Sequence, residues 1–393
     1  MKGSPYLKIS KRIVKEVDLC PWCLGRQFTS DPLKFEELGL QLYNDMRKDL
    51  PKGCDLCNGF FEKRSLFGEV LRELTKYEFM TFDVSASVNP KKVELEDDLR
   101  ARYKLASGSV LKKAILSYFR HHLTKFVEKD VKLKKPDVRI HLHIDDEIRF
   151  SVSSRPLFLE IRFIKYMREA RIRAARCRHC AGSGCSICNW IGKERDSSLE
   201  SFLLFELPKI LEAKRVRITW PVRDFENGLI DGKGRPIYVA IKDAKKLFSA
   251  PFLIHDQPSG GVQLTLCRVI SKNDIRERFI QLSKIRIEAS SKLSEKEIRD
   301  LTESFRRKEI RISSMNEGKS RRRMVYSVKI SEVGGPIYDV TILHETGINL
   351  MTLVEDDDEE RRTRMVPSFR DFIHAKLKVC WIDVLDVYEE KDY

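Results

Sequence analysis

The sequence predicts an α+β fold in more than one domain, and three observations carry that prediction. Apolar residues recur at helical spacing in segments such as FEELGLQLYNDMRKDL and VLKKAILSYFRHHLTKFVEK. Period-two alternation governs others, as in DVRIHLHIDDEIRFSVS. In the second half of the chain, strand-like and helical runs interleave, which fits a mixed domain with an extended sheet. At 393 residues the chain exceeds one small core and suggests two or three domains of roughly 100–200 residues each.

The elements follow in order. Cys20–Cys23 and Cys54–Cys57 flank a helical segment. LFGEVLRELTKYEFMTFDVSASV then reads as a helix leading into a strand. A second amphipathic helix carries Leu111, Ile115, Tyr118, Phe119, Leu123 and Phe126 on one face. Val138, Ile140, Leu142 and Ile144 alternate up to a turn at Asp145 and Asp146, and Ile148, Phe150 and Val152 answer them, a hairpin pattern. Pro156 marks a break before another apolar stretch. Beyond a second cysteine group, RVRITW, PIYVAIK, GVQLTLCRVI, RMVYSVKISEV, IYDVTIL and KVCWIDVLDVYEE read as strands, and SLESFLLFELPKILEAK and EKEIRDLTESFRRK as helices. The acidic run Glu355 to Glu360 reads as an exposed loop.

Composition narrows the class. Hydrophobic residues make up 42% and charged residues 34%, which excludes a disordered tail and describes a globular protein with a charged surface. The formal charge of +15 points to a polyanionic partner. No run of about 18 apolar residues exists, so no ordinary transmembrane helix and no membrane role are expected. MKGSPYLKISKRIVKEVDLC lacks the apolar core of a secretory signal, and a cytoplasmic location is expected.

Eight of the ten cysteines fall in Cys-x-x-Cys pairs, which in a reducing compartment indicates metal ligation. Each such pair offers two sulfurs to one ion, so Cys20, Cys23, Cys54 and Cys57 can close a tetrahedral zinc site. Cys177, Cys180, Cys185 and Cys188 lie within twelve residues, with Gly182 and Gly184 permitting a tight fold-back, and form a second four-thiolate group. That group suits zinc, and in chemistry also an iron–sulfur cluster. Four thiolates leave no open position, so either metal would shape the fold without catalysing. No organic cofactor is indicated. Cys267 and Cys380 lie in apolar strand-like runs and are expected to be packed. His141 and His143, two apart on one strand, can point together as a polar surface.

Arginine is concentrated in three places. Lys165, Arg168, Arg171, Arg173, Arg176 and Arg178 precede the second cysteine group, Lys319, Arg321, Arg322 and Arg323 form KSRRR, and Arg361, Arg362 and Arg364 form RRTR. Only the last has an acidic run beside it. The guanidinium fork matches phosphate and stacks on unpaired bases, so RNA is the expected partner.

These pieces resemble a known family, the archaeal and eukaryotic tRNA pseudouridine synthases that act on the T-loop. The resemblance is carried by CPWCLGRQF, CDLCNGFFE, YEFMTFDVSASV, KPDVRIHLHIDDEIRFSVSSRPLFLEIRF, CRHCAGSGCSICNWIGK, GRPI and the late TGINLMTLV and ERRTRMVPSF segments, in order and nearly end to end. It implies a zinc-binding segment at 1–76, a THUMP-like RNA-binding region at 77–175, and a zinc knuckle with a synthase-like mixed-sheet domain at 176–393. It implies tRNA, through its T-arm, as the ligand and structural zinc as the metal. The implied chemistry flips a uridine, detaches the base and rejoins it through C5, using a carboxylate near the ribose.

The family pattern Arg-Glu-Asp-Val-Asp followed by Gly-Arg-Pro can be laid ungapped on Arg223 and Gly234-Arg235-Pro236. The catalytic aspartate then falls on Asn227, whose carboxamide is neither a useful base nor a nucleophile. Two base-contacting tyrosine positions fall on Arg321 and Asn349. Arg223, Arg235, Arg321, Arg322, Arg323 and Asn349 are the implied substrate-binding set. The expectation is a tRNA-binding, catalytically degenerate relative. The alternative is an active synthase in which a small slip brings Asp224 or Asp231 into the acid's place.

Overall fold

The computed structural model describes residues 5–222, 227–248, 260–314, 320–355 and 363–390. The chain divides into two compact units, one of residues 1–155 with 243–247, the other of 156–242 with 248–393. Among the described residues no helix is long and apolar enough to cross a membrane.

The first unit opens with helices α1 (Pro5–Glu16), α2 (Pro21–Gly25), α3 (Phe35–Met46) and α4 (Arg64–Leu74). Helices α2 and α3 touch backbone to backbone, because a Cβ on Gly25 would lie 1.9 Å from the Phe35 carbonyl and one on Gly39 1.9 Å from that of Pro21. Any side chain at either position would force the pair apart. Strand β1 (Thr81–Val88), helices α5 (Pro90–Tyr103) and α6 (Leu111–Val127), and strands β2 (Asp130–Val131), β3 (Val138–Ile144) and β4 (Ile148–Ser154) complete the unit. The sheet runs β2-β1-β3-β4, with β1 parallel to β3 and β3–β4 the expected hairpin, Ile144 opposite Ile148. Period two sends Val84, Ala86, Ile140 and Leu142 into a core with Ile115, Phe119 and Leu123 of α6.

Arg26, in the LGRQF segment, is fully buried and ion-paired to Glu96 of α5. It also donates to the Ser109 carbonyl (2.8 Å), while Glu96 accepts the Leu111 amide at the start of α6 (2.8 Å). One buried carboxylate thus neutralises an arginine and caps a helix N-terminus, where the helix dipole favours a negative charge. Residues 243–247 return to this unit: Asp243 accepts from the Tyr77 hydroxyl (3.2 Å) and the Ser154 amide (3.0 Å).

The second unit is built on one ten-stranded sheet. Its strands are β5 (Leu157–Lys165), β6 (Arg215–Thr219), β7 (Ile230–Lys242), β8 (Val262–Ile270), β9 (Ile280–Ala289), β10 (Lys308–Ser314), β11 (Ser320–Gly334), β12 (Ile337–Glu345), β13 (Thr363–Val366) and β14 (Leu377–Tyr388). The order is β13-β10-β11-β12-β9-β14-β7-β5-β8, with β6 attached to β7. Pairing is antiparallel except between β14 and β7, which run parallel at Val384 and Ile230. The architecture is the expected mixed α+β one, with a large mixed sheet.

SLESFLLFELPKILEAK forms a broken helix: α7 (Leu199–Ser201), a π-helical stretch Phe202–Glu206, and α8 (Leu207–Ile210) with Pro208 in its first turn. Helices α9 (Glu295–Ser304) and α10 (Leu350–Glu355) supply Leu301, Leu350 and Leu353 to a core that includes Ile285, Ile287, Val340, Ile342 and Ile382. Burial of each such side chain contributes about 1.5–3 kcal/mol, so this face anchors the sheet. The opposite face carries intervening residues that include the charged Lys284, Arg286, Asp339 and Asp383. Cys267 is packed as expected, whereas Cys380 is exposed, because β14 has a bulge between Val379 and Trp381 that shifts its alternation.

Candidate functional site

The cysteines assemble into two tetrads. In each, the four sulfurs lie within 4.8 Å of one another. Cys20 caps α2 and Cys23 lies inside it, while a turn with the Asn58 amide on the Cys54 carbonyl (2.9 Å) presents Cys54 and Cys57; Cys20 and Cys57 approach to 3.6 Å. In the second tetrad, Cys177–Cys185, Cys180–Cys188 and Cys185–Cys188 lie 4.0, 3.9 and 3.7 Å apart. The edge of a tetrahedron of sulfurs around zinc is about 3.8 Å, so both tetrads fit that ion.

The local electrostatics agree. Burial pushes the Cys23 thiol well up, whereas hydrogen bonds from Cys20, Cys23 and Cys57 push Cys54 down. A dication would convert that arrangement into four thiolates. At Cys188 burial opposes ionisation, yet the amides of Cys185 (3.3 Å) and Gly192 (3.2 Å) donate to its sulfur and bring the thiol down to about 6.

The polar face of the large sheet is the second feature. The register sets Trp381 opposite Arg286, Asp383 opposite Lys284, and Asp339 opposite Arg286. Arg286 donates to both oxygens of Asp339 (2.8 and 3.0 Å) and Lys284 adds a third contact (2.9 Å); these donors, Arg286 foremost, hold Asp339 below the usual carboxylate range. Arg168 grips Asp383 bidentately, at 2.7 and 2.9 Å, and both Arg168 and Arg286 lie over the Trp381 ring at 4.9 Å.

Asn227 sits at the edge of this face. Its side chain is exposed, its carbonyl accepts from Arg168 (2.7 Å), and two residues later the Leu229 amide donates to Asp383 (2.9 Å). Asp231 is exposed on β7, and Arg235 is buried there opposite Phe163. Arg223 and Asp224 lie outside the described residues, as do Lys319, Arg361 and Arg362.

Arg321, Arg323 and Asn349, distant in sequence, meet around residues 346–349. Arg323 donates to the Thr346 carbonyl (3.0 Å), Arg321 reaches the Gly347 carbonyl (3.4 Å), and the Asn349 side chain accepts from the Thr352 amide at the start of α10 (3.5 Å). Burial and the nearby guanidinium of Arg278, with Arg321 behind it, hold Arg323 below the ordinary arginine value. Such crowding of positive charge attracts an anion. Arg322 points away from this cluster and pairs with Glu309 (3.2 Å).

The arginine run before the second tetrad is less free than its sequence suggests. Arg168 pairs with Asp383, Arg178 with Glu194 (3.0 Å), and Arg173 with Glu200 (3.4 Å), while Arg173 also stacks on Trp220 at 3.8 Å. Lys165 is buried. Their partners lie 16 to 215 residues away in sequence, beyond what local patterning displays. In the first unit, His141 and His143 do point together, with ring centroids 4.4 Å apart, and bond to Ser85 (2.8 Å) and Ser87 (3.1 Å).

Fold and site together define an α+β protein organised by two cysteine tetrads, with a charged sheet face beside residue 227. Among known proteins, such a chain finds its homologues in the archaeal tRNA pseudouridine synthases named Pus10. The Nitrosopumilus maritimus protein is 24% identical over 392 residues, covering 97% of both chains. That of Cenarchaeum symbiosum is 27% identical over 278 residues, 70% of this chain and 67% of the relative. That of Archaeoglobus fulgidus is 23% identical over 349 residues, 85% and 94% respectively. No family model matches the chain. The resemblance to the tRNA pseudouridine synthase family thus extends over most of the sequence.

Proposed function

We propose that this protein is a tRNA-binding homologue of the pseudouridine synthases that lacks the carboxylate needed for base isomerisation. The observation that carries the proposal is the setting of residue 227. The arginine beside it, Arg168, binds the Asn227 backbone carbonyl and gives both its charged bonds to Asp383. Asp383 already engages three N–H donors, which makes it an anchor for this loop and a poor nucleophile. A carboxamide at 227 supplies no negative charge to a ribose.

The ligand would be the T-arm of tRNA, held by arginines such as Arg321 and Arg323 through phosphate contacts and by stacking on unpaired bases. Zinc in the two tetrads would hold the scaffold in shape, and no organic cofactor is required. The THUMP-like reading of 77–175, and of the sheet it contains, would add a second RNA contact.

The test is tritium release from a tRNA transcript labelled at uridine C5, using zinc-loaded protein at concentrations where the same transcript is bound. Salt-sensitive binding without release is the expected result. Release would restore the enzyme and place its acid at Asp231 or Asp224.

A further inference from the structure

The second tetrad does more than close a loop. Between it and the edge strand β6 lies a groove of about 690 Å³, formed wholly within the second unit. Six cationic side chains line it against a single carboxylate, Glu200. Lys193 is paired with Glu200 (3.1 Å), and Lys209 with Glu206 (2.9 Å). Lys214, Arg215 and Arg217 line the groove, are exposed, and have no ion pair among the described residues.

At the rim stands Trp190, which is 77% exposed. Indole is large and apolar, and Trp190 is the most exposed of the large hydrophobic side chains among the described residues, ahead of Phe126 at 64% and Tyr166 at 59%. The exposure is built in by the backbone. Asn189 and Trp190 both adopt left-handed conformations, with φ of 51° and 61°, pinned by the Trp190 amide on the Cys185 carbonyl (2.8 Å). A left-handed bulky residue is sterically costly and marks a position the surroundings over-determine.

We infer that this groove is a binding site for unpaired RNA nucleotides, with Trp190 as the stacking surface for a base and Lys214, Arg215 and Arg217 as the phosphate contacts. Arg215 and Arg217 project from the same side of a strand, about 6.7 Å apart along it, a separation close to that of successive phosphates in an extended single strand. A groove of this volume is large enough to admit a stacked nucleotide. The inference rests on the RNA-binding reading but not on residue 227, and it adds a contact surface to that reading.

The experiment measures fluorescence anisotropy of a labelled ten-residue oligouridylate with the zinc-loaded full chain over a range of salt, with tRNA transcript and a ten-residue oligoglutamate alongside. Stacking on an aromatic changes affinity by roughly 5- to 150-fold per base, so Trp190→Ala should weaken oligouridylate binding at least about tenfold and Trp190→Phe should restore most of it. Arg215→Ala with Arg217→Ala should reduce the slope of log affinity against log salt by about 1.4. These two residues are exposed on an edge strand, so the double variant reports even where changes in the knuckle disturb zinc content.

Both variant sets binding as the wild type does would overturn the proposal. So would oligoglutamate binding with the same Trp190 dependence, which would make β6 a peptide-docking edge. Wild type that binds tRNA but not oligouridylate overturns the groove and spares the tRNA reading, whereas binding to neither overturns both.

Discussion

The guanidinium of Arg168 holds both oxygens of Asp383 while donating to the carbonyl of Asn227, so one ion pair fixes the position of the residue on which the functional reading turns. Asp383→Asn keeps the shape and removes the charge. The pair is partly solvated, which discounts its contribution to about 1–2 kcal/mol. Calorimetry should show a melting temperature lower by about 2–8 °C, and an unchanged melting temperature would mean that the pair is decoration.

The same geometry makes position 227 a place to restore chemistry. Asn227→Asp puts a carboxylate on the residue whose backbone carbonyl Arg168 holds, on a scaffold otherwise unaltered. The expected outcome is measurable tritium release from C5-labelled tRNA where the wild type gives none, with binding within about threefold. Failure of the variant to release tritium, with tRNA bound, would show that more than the carboxylate has been lost.

His344 predicts a pH dependence. It is fully buried on β12, where burial brings its pKa down from 6.5 to about 4 against the favourable bond of Nδ1 to the Glu345 carbonyl (2.8 Å). A histidine depressed in the folded state takes up its proton more readily when unfolded. Its stabilising contribution is therefore nearly complete above about pH 7 and declines as pH falls towards 4, by roughly 1.6 kcal/mol between pH 6.5 and 5. Urea titrations at the two pH values should show that loss, and His344→Gln should abolish the part due to this residue.

The two tetrads predict different consequences of losing metal. Zinc analysis should give two ions per chain. Cys23→Ser should remove one and abolish cooperative unfolding of the first unit, because the first tetrad lies in that unit's core. Cys180→Ser, in a half-exposed tetrad, should remove the other and leave the first unit's unfolding transition in place. Retention of both ions by either variant would contradict the ligand assignment.

Much of the fold was legible in the sequence because its signals are local. Alternation along 138–152 predicts the hairpin, and cysteine spacing predicts both tetrads. Helix α5 was missed, since its exposed residues PKKVELEDDLRARY bury little beyond Glu96, Leu99 and Tyr103 and so show no apolar stripe. The strand β10 was missed because it starts within the basic end of the preceding helical run. Arg168–Asp383 spans 215 residues, and its pairing depends on a β14 register that no local pattern encodes. The value of Arg26 was visible only as part of a motif, since nothing around it in sequence reveals that Glu96 neutralises it.

The strand order of the large sheet also constrains how the chain can be made. β14, the last of the described strands in sequence, lies between β9 and β7 and is the element that connects β13-β10-β11-β12-β9 to β7-β5-β8. During synthesis, which proceeds from the N-terminus at roughly 5–20 residues per second, the β9 edge of one half and the Ile230 end of β7 in the other emerge before β14 and wait for it. Unpaired edges of this kind invite pairing with other chains. The nascent protein is therefore most vulnerable to aggregation before β14 emerges, and a ribosome-stalled chain lacking residues 377–388 should depend on a chaperone that the folded protein does not need.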